Sequence, residues 1–331
     1  MPLIARHRLE SLLAGARAKR IAVIGDAMLD VYLRGDTERI SPEAPVPVVR
    51  VTERRLALGG AANVAQNVAA LGAVPSLVAV TGRDGAAAHL RDALEALGAP
   101  SAGLVDIARP TTTKTRVVAR TQQMLRFDEE TDHDVAGEDG DRVRSAALDA
   151  VRTADAVVLE DYEKGVLTRE VIGAVIQAAR ARRVPVIVDP KTRHYDAYAG
   201  ATVFKPNRRE LQQARGMARD FASDAALLDE AAHLGVDALL LTLGEHGMAL
   251  ATPAERSVQR IPTTAREVYD VVGAGDTVTA FLAATLAAGA TIFEAAVIAN
   301  YAAGIEVGKS GAATVSAAEV LAEYDHHAAD A

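Results

Sequence analysis

The octapeptide Asp270-Val271-Val272-Gly273-Ala274-Gly275-Asp276-Thr277 runs directly into the apolar stretch Val278–Ala288. Its two glycines let the backbone turn sharply and approach a ligand with no Cβ in the way. Free N–H groups at a helix start, with the helix dipole behind them, attract an anion. Asp276 falls beside that anion as the acid within reach. Anion donors next to a proton acceptor are what phosphoryl transfer to a hydroxyl needs. The same residues would also serve as a plain glycine turn with an acidic helix cap.

Two further elements shift that balance. Gly59-Gly60-Ala61-Ala62-Asn63-Val64-Ala65 opens a helix with small residues where a substrate could press against backbone, although close helix–sheet packing explains it equally well. Gly25-Asp26-Ala27-Met28-Leu29-Asp30 follows the first apolar run. Ligands of open α/β sheets bind beyond the carboxyl ends of the strands, so Asp30 is placed to accept sugar hydroxyls.

The elements that must hold these residues are legible as alternating patterns. Apolar runs at Ile21–Ile24, Leu77–Val80, Ala156–Leu159, Val184–Val188 and Ala238–Thr242 read as strands. Helical patterns follow at Gly85–Leu97, Arg169–Arg182, Ala222–Leu234 and Thr277–Ala288. Runs that are apolar throughout fit strands buried on both faces. Strand–helix alternation gives an α/β fold, a mostly parallel sheet with helices on both sides.

Two stretches break the rhythm, about 32–58 and 111–129. In the first, Pro42, Pro45 and Pro47 forbid a helix, and Val48–Thr52 alternates. In the second, Lys114–Arg120 and Met124–Asp128 read as paired strands. Together they form a small β-sheet lid on a single domain spanning 1–331.

Composition narrows the function. The 331 residues are 50% hydrophobic with a net charge of −8, against a general nucleic-acid or membrane-surface binder. There is no cysteine, so thiolate metal sites and cysteine nucleophiles are excluded. The first residues read as a short amphipathic helix with Leu9, Leu12 and Leu13 on one side, and a cytoplasmic location is expected.

In chain order, Gly25-Asp26-x-x-x-Asp30, Gly59–Ala65, Asn207-x-x-Glu210 and Gly273-Ala274-Gly275-Asp276 resemble the signature of ribokinase-like carbohydrate kinases from about residue 20 to 315. The resemblance implies a Rossmann-like αβα core with a β-lid, ATP and Mg²⁺, and Asp276 as catalytic base. It further implies Gly273, Ala274 and Gly275 as anion hole, and Asp30, Gly59, Gly60 and Asn63 against the sugar. Asn207 and Glu210 would organise Mg²⁺, mostly through water. Lys205, Thr242, Gly244, Gly247 and Asn300 would line the nucleotide, and a monovalent cation is a further possible requirement. Val272 departs from the family's usual Thr and puts one minor contact in doubt.

A narrower resemblance rests on Arg39–Val48, Glu160-Asp161-Tyr162-x-Lys164-Gly165, Asp189-Pro190-Lys191 and Glu267-Val268-Tyr269-Asp270. These are similar to kinases acting on D-glycero-β-D-manno-heptose 7-phosphate in lipopolysaccharide-core synthesis. That implies phosphorylation at O1. With no His-x-Gly-His before Ala331, it also implies a stand-alone kinase with a separate adenylyltransferase downstream. Period-two alternation puts Lys114, Arg116 and Arg120 on one lid face, where cations could hold a sugar phosphate; Arg120 and Lys191 are the candidates. A charged edge strand explains the same pattern. A homodimer through the lid is expected.

Another sugar or nucleoside kinase of the same kind, or a non-catalytic sugar-binding protein on this fold, remain as alternatives. Ala303–Ser310 has a displaced first glycine and follows a helix, so it is not a P-loop. The eight histidines show no metal-ligand spacing.

Overall fold

A computed structural model of the chain describes residues 3–216, 223–265, 268–309 and 311–329. Its strands in chain order are β1 (Arg20–Gly25), β2 (Ala27–Ile40), β3 (Pro47–Gly60), β4 (Val74–Thr81), β5 (Leu104–Asp106), β6 (Thr113–Ala119), β7 (Gln122–Glu129), β8 (Ala156–Glu160), β9 (Val186–Asp189), β10 (Val203–Phe204), β11 (Ala238–Thr242), β12 (Met248–Thr252) and β13 (Ser257–Ile261). Its helices are α1 (Arg6–Ala16), α2 (Ala61–Ala70), α3 (Gly85–Ala96), α4 (Gly137–Thr153), α5 (Arg169–Ala181), α6 (Arg208–Arg215), α7 (Asp224–Leu234), α8 (Ala274–Ala287), α9 (Ile292–Glu306) and α10 (Ala317–Ala329).

Among the described residues, nine strands form one sheet in the order β13-β12-β11-β10-β9-β8-β1-β4-β5. All neighbours from β5 to β11 pair parallel, while β12 and β13 finish the edge antiparallel. Successive residues of the central strands serve different cores. Ile21 and Val23 of β1 pack with α1, α2, α8 and α9, whereas Ala22 and Ile24 pack with α4, α5 and α7. Burial on both faces is why these strands read as unbroken apolar runs. Helix α8 is buried continuously from Asp276 to Thr285, so its N-terminus is held rigidly under the strand ends.

The second sheet, in the order β3-β2-β6-β7, is the lid. Strand β2 is buried from Ala27 to Val31 and then projects outward. The strand register splits its faces by chemistry: Asp30, Tyr32, Lys114, Arg116 and Arg126 share one, and Val31, Leu33, Val117, Leu125 and Phe127 the other.

The main strands and helices fall where the patterns put them, within a few residues. Three differences matter. Helix α8 begins at Ala274 rather than Thr277, so Asp276 lies inside its first turn. The β2–β3 hairpin extends over the whole segment, with irregular register between Arg34 and Gly35 and between Thr37 and Arg39. The β6–β7 pair carries a register shift between Val117 and Val118, and Arg120 lies in the connecting turn at φ 55°. The extra residue is Met124 on β7; β6 keeps its register with β2 to Ala119 and ends there, one residue before Arg120. The hairpin β12–β13 had no sequence expectation. Ala222, Glu267 and Ser310 lie outside the described residues.

Candidate active site

Gly273 caps α8 with φ 97°, a conformation that only glycine adopts without strain. A Cβ there would lie 3.1 Å from the Asn63 Nδ2 and 3.2 Å from a Glu306 carboxylate oxygen. Ala274 and Gly275 follow in the first turn, and the Lys205 Nζ sits 3.6 Å from where a Gly275 Cβ would be. An ammonium beside free helix N–H groups is a strong phosphate site.

Asp276 is buried against this turn. Its Oδ2 accepts from the Asn63 Nδ2 at 2.7 Å, and its Oδ1 accepts from the Tyr162 hydroxyl at 2.9 Å. Burial, reinforced by the neighbouring Asp189, pushes its carboxyl up to about 6. A carboxylate lifted this way is a better proton acceptor near neutral pH.

Glu160 and Asp189, at the carboxyl ends of β8 and β9, lie within 4.8 Å of Asp276. Asp189 accepts from the Lys205 Nζ at 2.8 Å. Glu160 is fully buried with both oxygens unpartnered, and burial, with Asp189 and Asp276 adding to it, raises its carboxyl well above the usual range. Lys191 pairs with Glu210. Glu210 and Asn207 also form the capping box that starts α6, with the Asn207 N–H donating to Glu210 at 2.8 Å. Fully ionised, the carboxylates Glu160, Asp189, Glu210 and Asp276 exceed the ammonium groups Lys191 and Lys205 by two charges. That excess and the orphaned Glu160 oxygens fit a divalent cation.

On the sugar side, Asp30 is buried and ion-paired with Arg116. A Cβ on Gly59 would lie 2.8 Å from an Asp30 carboxylate oxygen. Gly60, at φ 57°, turns the chain from the lid into α2 and thus towards Asn63. On the nucleotide side, a cavity of about 380 Å³ is lined by Thr242, Gly244, Gly247, Ala274, Gly275 and Asn300. Asn300 is fixed there by donating to the Pro262 carbonyl at 2.8 Å.

The structure thus gathers Asp30, Gly59, Gly60, Asn63, Lys191, Lys205, Asn207, Glu210 and the α8 turn around one cleft. Arg120 is the exception. Its side chain is 75% exposed, with Asp36 at 3.7 Å as its ion partner. It lies six residues along the strand from Lys114, roughly 20 Å further out. Lys191 is tied to Glu210 and stands 5.0 Å from the Tyr162 ring centroid, on the catalytic side rather than on the lid. Of the three cations that alternation put on the lid face, the one beside the catalytic side is Lys114, which was not among the two preferred candidates. Its Nζ lies 5.2 Å from the same ring, it has no hydrogen bond or ion pair among the described residues, and burial lowers its ammonium.

Tyr162, Glu160 and Asp189 were also not singled out for roles. Their signal was a polar residue directly after an apolar strand, at the strand's carboxyl end. Asp26 proves structural: it accepts from the backbone N–H groups of Tyr162, Lys164 and Val166 at 2.8, 2.9 and 3.2 Å and so shapes the loop that carries Tyr162.

A parallel α/β core with a small lid over its strand ends is the ribokinase-like fold. The chain superposes on an Arabidopsis thaliana ribokinase complexed with ribose and ATP (TM-score 0.73, 22% identity, 93% of this chain and 98% of that one). It also matches the Escherichia coli phosphofructokinase-2 in complex with potassium (TM-score 0.74, 17% identity, 94% and 99%). The model of the pfkB family of carbohydrate kinases matches residues 18–319, and the chain belongs to that family. It is a sugar kinase, a phosphotransferase. The Bifunctional protein HldE of Citrifermentans bemidjiense is 46% identical over 331 residues, covering 98% of this chain and 67% of that one. The chain therefore spans about two thirds of that relative's length.

Proposed function

We propose that the protein transfers the γ-phosphate of ATP to O1 of D-glycero-β-D-manno-heptose 7-phosphate, giving the 1,7-bisphosphate, on the way to the ADP-heptose of the lipopolysaccharide core. The observation that carries the transfer is the buried Asp276 in the first turn of α8, beside the Gly273–Gly275 anion site and Lys205. The near-complete match to a relative named HldE, together with the cationic inner face of the lid, supports a phosphorylated sugar as acceptor.

In this reading ATP occupies the cavity beside Asn300, with its terminal phosphates at the α8 turn. Asp30, with Gly59 and Asn63, holds sugar hydroxyls so that O1 faces the γ-phosphorus. Asp276 takes the O1 proton as O1 attacks, and the N–H groups of the α8 turn with Lys205 stabilise the charge moving onto the phosphoryl oxygens. Mg²⁺, when bound, neutralises phosphate charge; Glu160 and Asp189 would hold it, with Asn207 and Glu210 acting through water. Lys114 and Arg116 would hold the distal phosphate, a role that the position of Arg120 disfavours. The lid shields the transfer from water.

A monovalent cation near the α8 turn is supported by Glu306, fully buried with both carboxylate oxygens unpartnered, one of them 3.2 Å from where a Gly273 Cβ would be. A lid-to-lid homodimer is supported by the apolar outer face, where Leu125 is 56% and Phe127 44% exposed. ATP as donor suits the cytoplasm, and among the described residues no helix is long and apolar enough to cross a membrane. A separate adenylyltransferase is the expected consumer of the product.

The test is ³¹P NMR of the product formed from the heptose 7-phosphate and MgATP. A second, anomeric phosphate signal is expected. Phosphorylation at another carbon, or none while a different sugar is turned over, would overturn the heptose reading.

A further inference from the structure

Both oxygens of Asp276 are engaged, and the two partners differ in kind. Asn63 is built into α2, where its side-chain Oδ1 accepts from the Asn67 Nδ2 at 3.4 Å, so its amide is held by the helix. Tyr162 stands on the loop after β8, held through its backbone N–H by Asp26. Its hydroxyl is free to rotate about the C–O bond, and its ring is half-buried at the edge of the sugar site. Gly60 lies beside that ring, where a Cβ would stand 3.4 Å from it, in ordinary contact.

The ring is also where the lid meets the catalytic floor. Lys114 of β6 and Lys191 after β9 both lie within cation–π reach, at 5.2 and 5.0 Å. Tyr162 is thus bonded to the base and also faced by a lid cation.

Resting on the reading of Asp276 as base, we propose that Tyr162 is a positioning residue that guards it. In the sugar-free enzyme the phenol O–H donates to the Asp276 Oδ1, the oxygen that must accept the proton of the incoming hydroxyl. A sugar seated on Asp30 and under Lys114 brings its own hydroxyl to that oxygen, and the phenol turns to a new acceptor. A lone water has neither the contacts that seat it nor the means to displace the phenol. No bond is made or broken in this exchange; one hydrogen bond replaces another. The consequence is coupling: ATP is spent on sugar and not on water.

The test is ADP release from MgATP with and without heptose 7-phosphate, for wild type, Tyr162→Phe, Asp276→Asn and the double variant. The ratio of sugar-independent to sugar-dependent ADP release is taken within each preparation, so a partly inactive sample does not alter it. In Tyr162→Phe this ratio is expected to rise about tenfold, the scale of one hydrogen bond to a charged group. In the double variant the sugar-independent rate itself should fall back to that of Asp276→Asn, because the water reaction also needs the base. An unchanged ratio in Tyr162→Phe, with Asp276→Asn still inactive towards sugar, would overturn the guarding role and leave the base in place. Retained sugar turnover in Asp276→Asn would instead overturn the base reading. A sugar-independent rate in the double variant that stays above that of Asp276→Asn would show the water reaction to be independent of Asp276, and would also overturn the guard.

Discussion

The floor of the cleft and the lid above it are built on opposite principles. The floor packs Glu160, Asp189, Asp276 and Lys205 into a buried network at the ends of β8, β9 and α8. Its charges are held by a doubly covered sheet and act at low effective dielectric, where each is strong. The lid carries its charges on one face of a thin sheet whose outer strands are solvent-exposed. Beyond the buried Asp30–Arg116 pair at the root of the lid, pairs such as Arg120–Asp36 are exposed, screened and individually weak. The floor suits chemistry that every member of such a family performs, and the lid suits choice among acceptors.

That division can be broken at either end. Asp276→Asn should show the largest effect, a fall in turnover of about 10²–10⁴-fold with ATP binding kept, as steady-state rates and calorimetry would show. Loss of ATP binding instead would make the residue structural. Lys114→Met should come next, raising the KM for a sugar phosphate about 10–100-fold while changing kcat and the KM for ATP far less. A fall confined to kcat would move Lys114 from selection into chemistry.

The pH profile sharpens the contrast. Burial raises Asp276 to about 6, so the base is ionised above that pH and protonated below it. Accordingly kcat/KM should be flat above about 6 and fall about tenfold per unit below it. An acid limb near 4 would mean that burial does not raise the Asp276 carboxyl in the working enzyme. Arg120→Ala should have the smallest effect, within about twofold on every constant, because its pairing with Asp36 is exposed.

The same division sets what could be read from the sequence. The glycine turn before α8 encodes close backbone approach directly, so Gly273–Asp276 stood out from residue types, whereas roles for Gly59, Gly60 and Asn63 came from the family resemblance. The nucleotide wall followed from the family pattern, and Thr242, Gly244, Gly247 and Asn300 do line one cavity. On the lid, period-two alternation placed Lys114 and Arg116 on a common face. It could not foresee the shift at Val117/Val118 or the turn at Arg120, which depend on pairing with β7. Tyr162 was invisible as a neighbour of Asp276, because they are 114 residues apart and meet through the Asp26-organised loop. Glu160 and Asp189 read as strand ends until the parallel sheet put them side by side.

The most direct measurement is the rate of ADP release from MgATP with heptose 7-phosphate, set against ribose, fructose and fructose 6-phosphate. Turnover of the heptose phosphate at least about a hundredfold above the unphosphorylated sugars is expected, the discrimination that a site built around a charged group can reach. Equal or faster turnover of ribose or fructose would contradict a lid that selects for a distal phosphate.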